Sequence, residues 1–289
     1  MTIYYGSVSC QKEGCQNMAY YQISAGSPVL CGVHCNIKRY PNRLTLPKNP
    51  NIDEEKTLIL TKHNASIYEV AAINEANAKQ GHVVLFKMHM MRDPKLIDGY
   101  LNVFPNFKHG NRRDGLGLPS LSPKSIGPID HGQPGLPIAK NLENFHQGNK
   151  FFPGETVEEF VTTRLAMYMD DVPHRHKTAS GGKNIPLYSV WISKDGIEHQ
   201  IDYITSRQFY CTFYQRSVEN DPAYHQLLNC IKRGINLRIC GYDAYSITMS
   251  LEEHYLDRSK PFGHELVLYT MLVTDKKDYP WVKHRTFEF

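Results

Sequence analysis

Cys10, Cys15, Cys31 and His34 fall in two close pairs, C-x4-C and C-x2-H, in a stretch with little else to fold around. Residues 1–45 are rich in cysteine and poor in aliphatic side chains. So short a segment buries too little apolar surface to offset the entropy of ordering it, so a metal has to serve as its core. Three thiolates and an imidazole are ligand types that zinc prefers. Four protein ligands close a tetrahedral site with no place for water, which makes such a site structural rather than catalytic. Cys35 competes with His34 for the fourth position, and four unrelated thiols remain the plain alternative. Tyr4, Tyr5, Tyr20 and Tyr21 are candidate packing aromatics for the module.

The 47–51 run is rich in Pro and Asn and reads as a linker. Residues 46–289 are then one larger domain behind a zinc-binding module of residues 1–45. Charged residues make up only 21% of the chain and apolar ones 41%, a balance that favours a packed core over disorder. A formal net charge of +4 suits an anionic ligand such as a nucleotide and falls short of a nucleic-acid coat. No run approaches the roughly 18 apolar residues of a membrane span. The opening MTIYYGSVSCQKEGC lacks the apolar core of a secretory signal. Seven cysteines, three of them scattered (Cys211, Cys230, Cys240), are not a disulfide framework. An intracellular location, cytoplasmic or nuclear, is the expectation, with no membrane partner.

Along the larger domain, 58–60 reads as a short strand and 67–79 as a helix ended by Gly81. HVVLFKMHMM at 82–91 reads as a buried strand. Residues 108–140 carry many Gly and Pro and no period, so they read as a loop flanking an active site, a lid, or a surface excursion. Residues 141–152 and 155–169 read as helices. The 185–192 and 197–204 runs are strands joined at Asp195-Gly196, a hairpin turn signal. Residues 206–218 and 223–232 are helices, the second with Asp221 as N-cap and Pro222 at its first position. Residues 235–240 read as a strand, and 264–273 as a buried helix or strand. Without a regular βαβ alternation the expected class is α+β.

The segment Glu143-Asn144-Phe145-His146-Gln147-Gly148-Asn149-Lys150-Phe151 is the most informative for chemistry. On one helix Glu143, Gln147 and Lys150 stand at i, i+4 and i+7 and share a face. An ordinary solvated stripe is the plain reading. Against it, the stripe follows the Gly/Pro-rich loop, and His146 and Asn149 leave little apolar face. The segment also resembles the central motif E-H-Y-Y-Q-A-Q-K-F of the NADAR (NAD- and ADP-ribose-associated) family. Glu143, Gln147, Lys150 and Phe151 match it in register. Phe104-Pro105-Asn106-Phe107 resembles the family's F-S-N-F motif, and 223–228 with 262–266 resembles its C-terminal part. At the other end, the Cys/His pattern resembles a short motif of brown algae and some of their large DNA viruses.

The NADAR resemblance implies hydrolysis of N-glycosidic bonds in ADP-ribose-type nucleotides, such as ADP-ribosylated guanine, or in riboflavin-pathway intermediates. Such a bond breaks with positive charge building on the ribose, which a carboxylate stabilises, and Glu143 is the candidate. A neutral lysine amine can hold the opened ribose as a Schiff base, and Lys150 is the candidate. Gln147, His146 and Asn106 are candidates for the ribose hydroxyls or base. Arg112, Arg113 or Lys140 could supply donors to a pyrophosphate, as could His174, Arg175 or Lys177. Asp243, after a predicted strand end, is a further substrate-binding candidate, and His264 and Glu265 face the site or cap the last helix. Asp170, Asp171, His174 and His176 are a second, weaker metal cluster. Phe209, Tyr210, Phe213 and Tyr214 read as core packing, with base stacking the minority option. Cys211 lacks a base partner, and no G-x-G-x-x-G, Walker A or serine-hydrolase signature is present. The competing class is a nucleic-acid-binding or structural protein without catalysis, supported by Lys12, Lys38, Arg39 and Arg43 near the zinc module.

Overall fold

The computed structural model describes residues 2–15, 18–22, 28, 30, 50–89, 94–176, 178 and 184–289, with backbone alone for 2–9, 18–22 and 50–58. Two compact units emerge, Met1–Lys62 and His63–Phe289. In the first, β1 (Thr2–Ser9) and β2 (Met18–Gln22) pair antiparallel, with Ser9 opposite Met18. Cys10 and Cys15 stand between these strands, on either side of a turn in which the Cys15 amide donates to the Lys12 carbonyl at 3.0 Å. Gly14 supplies its positive φ of 73°. Cys31, His34 and Cys35 lie outside the described residues.

The division falls inside α1 (Pro50–Ala76). The expected strand at 58–60 is thus helix. Three apolar residues cannot fix a period, and Glu54, Glu55, Lys56 and Lys62 around them are good helix formers. His63, Ile67 and Ala71 form its buried stripe at four-residue spacing. The helix ends at Ala76, and the chain leaves it through Ala78, whose φ is 52°, and not through Gly81. Gly81 is needed for another reason: a Cβ there would collide with the Ile235 carbonyl.

Four parallel strands form the sheet of the second unit, in the order β3 (Val83–Lys87), β9 (Asn236–Gly241), β4 (Tyr100–Phe104), β5 (Leu116–Gly117). β9 is inserted between β3 and β4 and is buried along its whole length. Because the strands are parallel, Lys87, Gly241, Phe104 and Gly117 end along one edge. Crevices at such carboxyl edges are where open α/β sheets bind ligands. α4 (Tyr203–Val218), α5 (Pro222–Lys232) and α7 (His264–Val273) supply much of the core, with Phe209, Phe213, Leu227, Leu266, Val267 and Leu268 buried together with Val103, Leu237 and Ile239. Each such side chain contributes roughly 1.5–3 kcal/mol relative to exposure. Asp221 caps α5 by accepting from the Ala223 amide at 2.7 Å.

A second sheet is antiparallel, β6 (Lys150–Phe151), β7 (Tyr188–Ile192) and β8 (Glu198–Ile201). The Asp195-Gly196 turn joins β7 to β8, with φ of 83° at Gly196. β8 stops short of residue 204 because Asp202 accepts the Thr205 amide at 2.8 Å and starts α4. The remaining helices are α2 (Leu142–Gly148), α3 (Val157–Met169), α6 (Leu251–Leu256) and α8 (Pro280–Lys283). The fold is therefore mixed helix and strand. Among the described residues no helix is long and apolar enough to cross a membrane.

The 108–140 segment is more than a surface excursion. Leu121, Ile126, Ile129 and Ala139 are core residues. Tyr214 donates its hydroxyl to the Leu121 carbonyl at 2.8 Å, and His131 stacks on Phe145 at 5.0 Å. Its glycines and prolines mark tight turns around buried anchors spaced too irregularly to show a period.

Candidate functional site

α2 opens on Asn141, whose side chain accepts the Asn144 amide at 2.8 Å. Leu142, Phe145 and Gly148 face the core, where Gly148 leaves room for the Tyr168 ring. Glu143, His146 and Gln147 are half-buried on the other side. The helix is shorter than the expected 141–152. Asn149 turns its side chain back to the Phe145 carbonyl and the Tyr168 hydroxyl, both at 2.7 Å, and Lys150 begins β6.

Lys150 is thus not on the helical face that the spacing implied, yet it returns to the same side. Its Nζ donates to Gln147 Oε1 at 3.3 Å, and Gln147 Nε2 donates to Glu143 Oε1 at 3.2 Å. Gln147 separates the cation from the carboxylate with one amide dipole. Burial lowers the Lys150 amine to about 8; Glu143 opposes that shift and the Arg175 charge adds to it. Burial, and then Lys150, hold His146 well below its usual range, so it is a neutral imidazole.

Around this row stand residues from the sheet edge and from α4 and α7. The Tyr210 ring lies 4.8 Å from His146, and its hydroxyl is pushed well up by burial, then by Glu143, Tyr214 and Glu265. Tyr214 is 6.2 Å from the His264 ring, and His264 Nε2 pairs with the Pro105 carbonyl at 3.0 Å. Next to Pro105 is Asn106, placed just after β4 at the carboxyl edge of the sheet. Glu265 is buried against Gly241 at the end of β9, with Oε2 3.1 Å from His264 Nδ1. Asn106 Nδ2 and His146 Nδ1 are buried without a hydrogen-bond partner. Such atoms are costly in a finished core and expected where a ligand completes the bonding.

The other nominated residues are placed less directly. Asp243 is exposed beside Gly263 at the start of α7. Arg112 is held by an ion pair with Asp114 and lies 4.3 Å over the Phe104 ring. Arg113 is exposed, and Lys140 reaches Asp171 at 3.9 Å. His174 pairs with Asp170 at 3.2 Å, while His176 is buried against Glu155 at 3.4 Å. Lys177 lies outside the described residues. Among the described residues no three metal-ligating side chains are grouped to hold an ion, those of 170–176 included. Cys211 is fully buried and its thiol pushed far up by burial, which removes it as a nucleophile. Of the five aromatics in α4, Tyr203 is exposed, Phe209, Phe213 and Tyr214 are buried, and Tyr210 is half-buried; it sits next to the buried Phe209, so spacing alone does not single it out. A groove of about 470 Å³ between β8 and Thr286-Phe287 is lined by none of the nominated residues.

No family model, curated protein or solved structure matches this chain.

Proposed function

We propose that the larger domain is a hydrolase of NADAR type, an N-glycosidase that cleaves ADP-ribose-type nucleotides, with Lys150 and Glu143 as its catalytic pair. The observation that carries this reading is a lysine amine lowered to about 8 and joined to a carboxylate through Gln147. At neutral pH such an amine is neutral far more often than an ordinary one, which is what a nucleophilic lysine needs. The C1′–N bond breaks with its electron pair leaving on the base, and Glu143 faces the charge that builds on the ribose. The Lys150 lone pair attacks C1′, the ring oxygen leaves as a hydroxyl, and an imine forms. Water then returns to C1′ and frees the sugar, so the sum is substrate plus water to free base plus ADP-ribose product. Asn106 Nδ2 and His146 Nδ1 are available to the ribose hydroxyls or base.

The N-terminal module in this reading is held by a structural zinc ion on Cys10, Cys15, Cys31 and His34. Its support is the pair of thiols, one buried and one half-buried, that flank the Lys12–Gly14 turn.

The test is chromatography of ADP-ribosylated guanosine nucleotide, NAD and ADP-ribose incubated with wild type, Lys150→Ala and Glu143→Ala. Release of free base by wild type, lost in both variants, supports the reading. No turnover of any of them by wild type rejects it.

A further inference from the structure

Arg175 is an exposed residue fixed on both sides. The buried Asn144 of α2 donates Nδ2 to the Asp170 and Val172 carbonyls, each at 2.9 Å, and its Oδ1 accepts the His174 amide at 2.9 Å. On the other side the His176 ring stacks on Phe152 at 4.6 Å and faces Glu155. Asn144 and Phe152 bracket Lys150 in the chain, and the two histidines they hold bracket Arg175. The loop therefore presents a guanidinium beside the site on a rigid mount.

That guanidinium has no ion-pair partner among the described residues. The carboxylates nearest in sequence are engaged elsewhere, Asp170 with His174 and Asp171 with Lys140. Its charge is nevertheless felt at the Lys150 amine. Glu143 offsets only part of the charge around the Lys150 amine, and Arg175 adds to it, an arrangement that an anionic ligand would complete.

We propose that Arg175 is the phosphate-recognising residue of the Lys150 site, so that the site selects ligands carrying a phosphate or pyrophosphate over uncharged nucleosides. The inference rests on Lys150 being an accessible amine in a ligand site, but it requires no turnover. Guanidinium suits the task because its planar fork meets two phosphate oxygens at once.

Pyridoxal 5′-phosphate and pyridoxal make a direct test, since both carry an aldehyde and only the first a phosphate. Each is offered to the full chain, the imine is reduced with borohydride, and the modified lysine is located by peptide mapping. Lys150 is expected to be modified at about tenfold lower concentration of the phosphorylated aldehyde, the worth of one charge-assisted contact. Arg175→Gln should bring the two to parity while pyridoxal still modifies Lys150, and inorganic pyrophosphate should slow only the phosphorylated reagent. Parity in wild type, or a preference that survives Arg175→Gln, overturns the inference alone. No modification of Lys150 by either aldehyde overturns the accessible amine and the inference with it.

Discussion

Arg207 and Lys150 are both cations withdrawn from water, and their surroundings differ in kind. Arg207 spreads its donors over the carbonyls of Tyr255, Asp257 and Lys260 and the Tyr203 hydroxyl, between the Tyr203, Tyr255 and Phe262 rings. These carbonyls belong to the end of α6 and the turn after it, groups that no intrahelical amide reaches. Arg207 thus closes a helix terminus and is itself satisfied. Lys150 has one side-chain partner at 3.3 Å, and the His146 ring that its charge acts on has a buried Nδ1 with none. A satisfied buried cation is architecture, whereas an under-satisfied one beside an orphaned ring nitrogen marks a place for a ligand.

Several substitutions would break this contrast or sharpen it. Lys150→Ala should lower turnover by about 10³-fold or more without loss of folding, since it removes the nucleophile. Arg207→Met should do the opposite, costing about 3–5 kcal/mol in a denaturant titration because several buried carbonyls lose their donors together. If Arg207→Met leaves the unfolding midpoint unchanged, the architectural assignment is wrong. Glu143→Gln should cost about 10²-fold in turnover, the usual worth of a positioned carboxylate, and urea unfolding should barely register it.

The pH dependence divides the two cations again. Wild-type turnover should rise as pH passes about 8 and level off above it, as the Lys150 amine loses its proton. The same shift has a stability consequence of opposite benefit. The amine binds a proton more weakly folded than unfolded, so between about 8 and its ordinary value of 10.5 the unfolded chain carries more protons and wild-type stability rises with pH. Lys150→Met should therefore be more stable than wild type at pH 7, by about 1 kcal/mol, with the gain shrinking as pH climbs towards 10.5. A melting-temperature difference that ignores pH would show that the amine is not buried as a cation. For the N-terminal module, a chelator should shift the melting profile and elemental analysis should find zinc; an unchanged profile with no metal would end the zinc proposal.

What could be read from the chain beforehand depended on how local its cause is. Asp221-Pro222 and Asp195-Gly196 act within a few bonds, and α5 and the β7–β8 turn stand where they point. The α2 boundary depends on Tyr168, nineteen residues from the Asn149 that it bonds. No short window around Glu143 contains that fact, so the spacing alone places Lys150 on the helix. Its grouping with Glu143 and Gln147 came through all the same, because a strand that turns back from a helix end can serve the face that another helical turn would have served. The Ser250/Glu253 capping box that starts α6 is likewise a local signal, carried within four residues. Asn106, Tyr210 and Glu265 are brought together by β9 entering between β3 and β4 and by the packing of α4 and α7, and only the tertiary structure carries that.

N-glycosidase action through Lys150 requires its amine to meet an opened ribose. Wild type incubated with ADP-ribosylated guanosine nucleotide and borohydride, then digested for mass spectrometry, should carry a reduced ADP-ribosyl adduct on the Lys150 peptide. Turnover without any adduct there, and undiminished in Lys150→Arg, would contradict it.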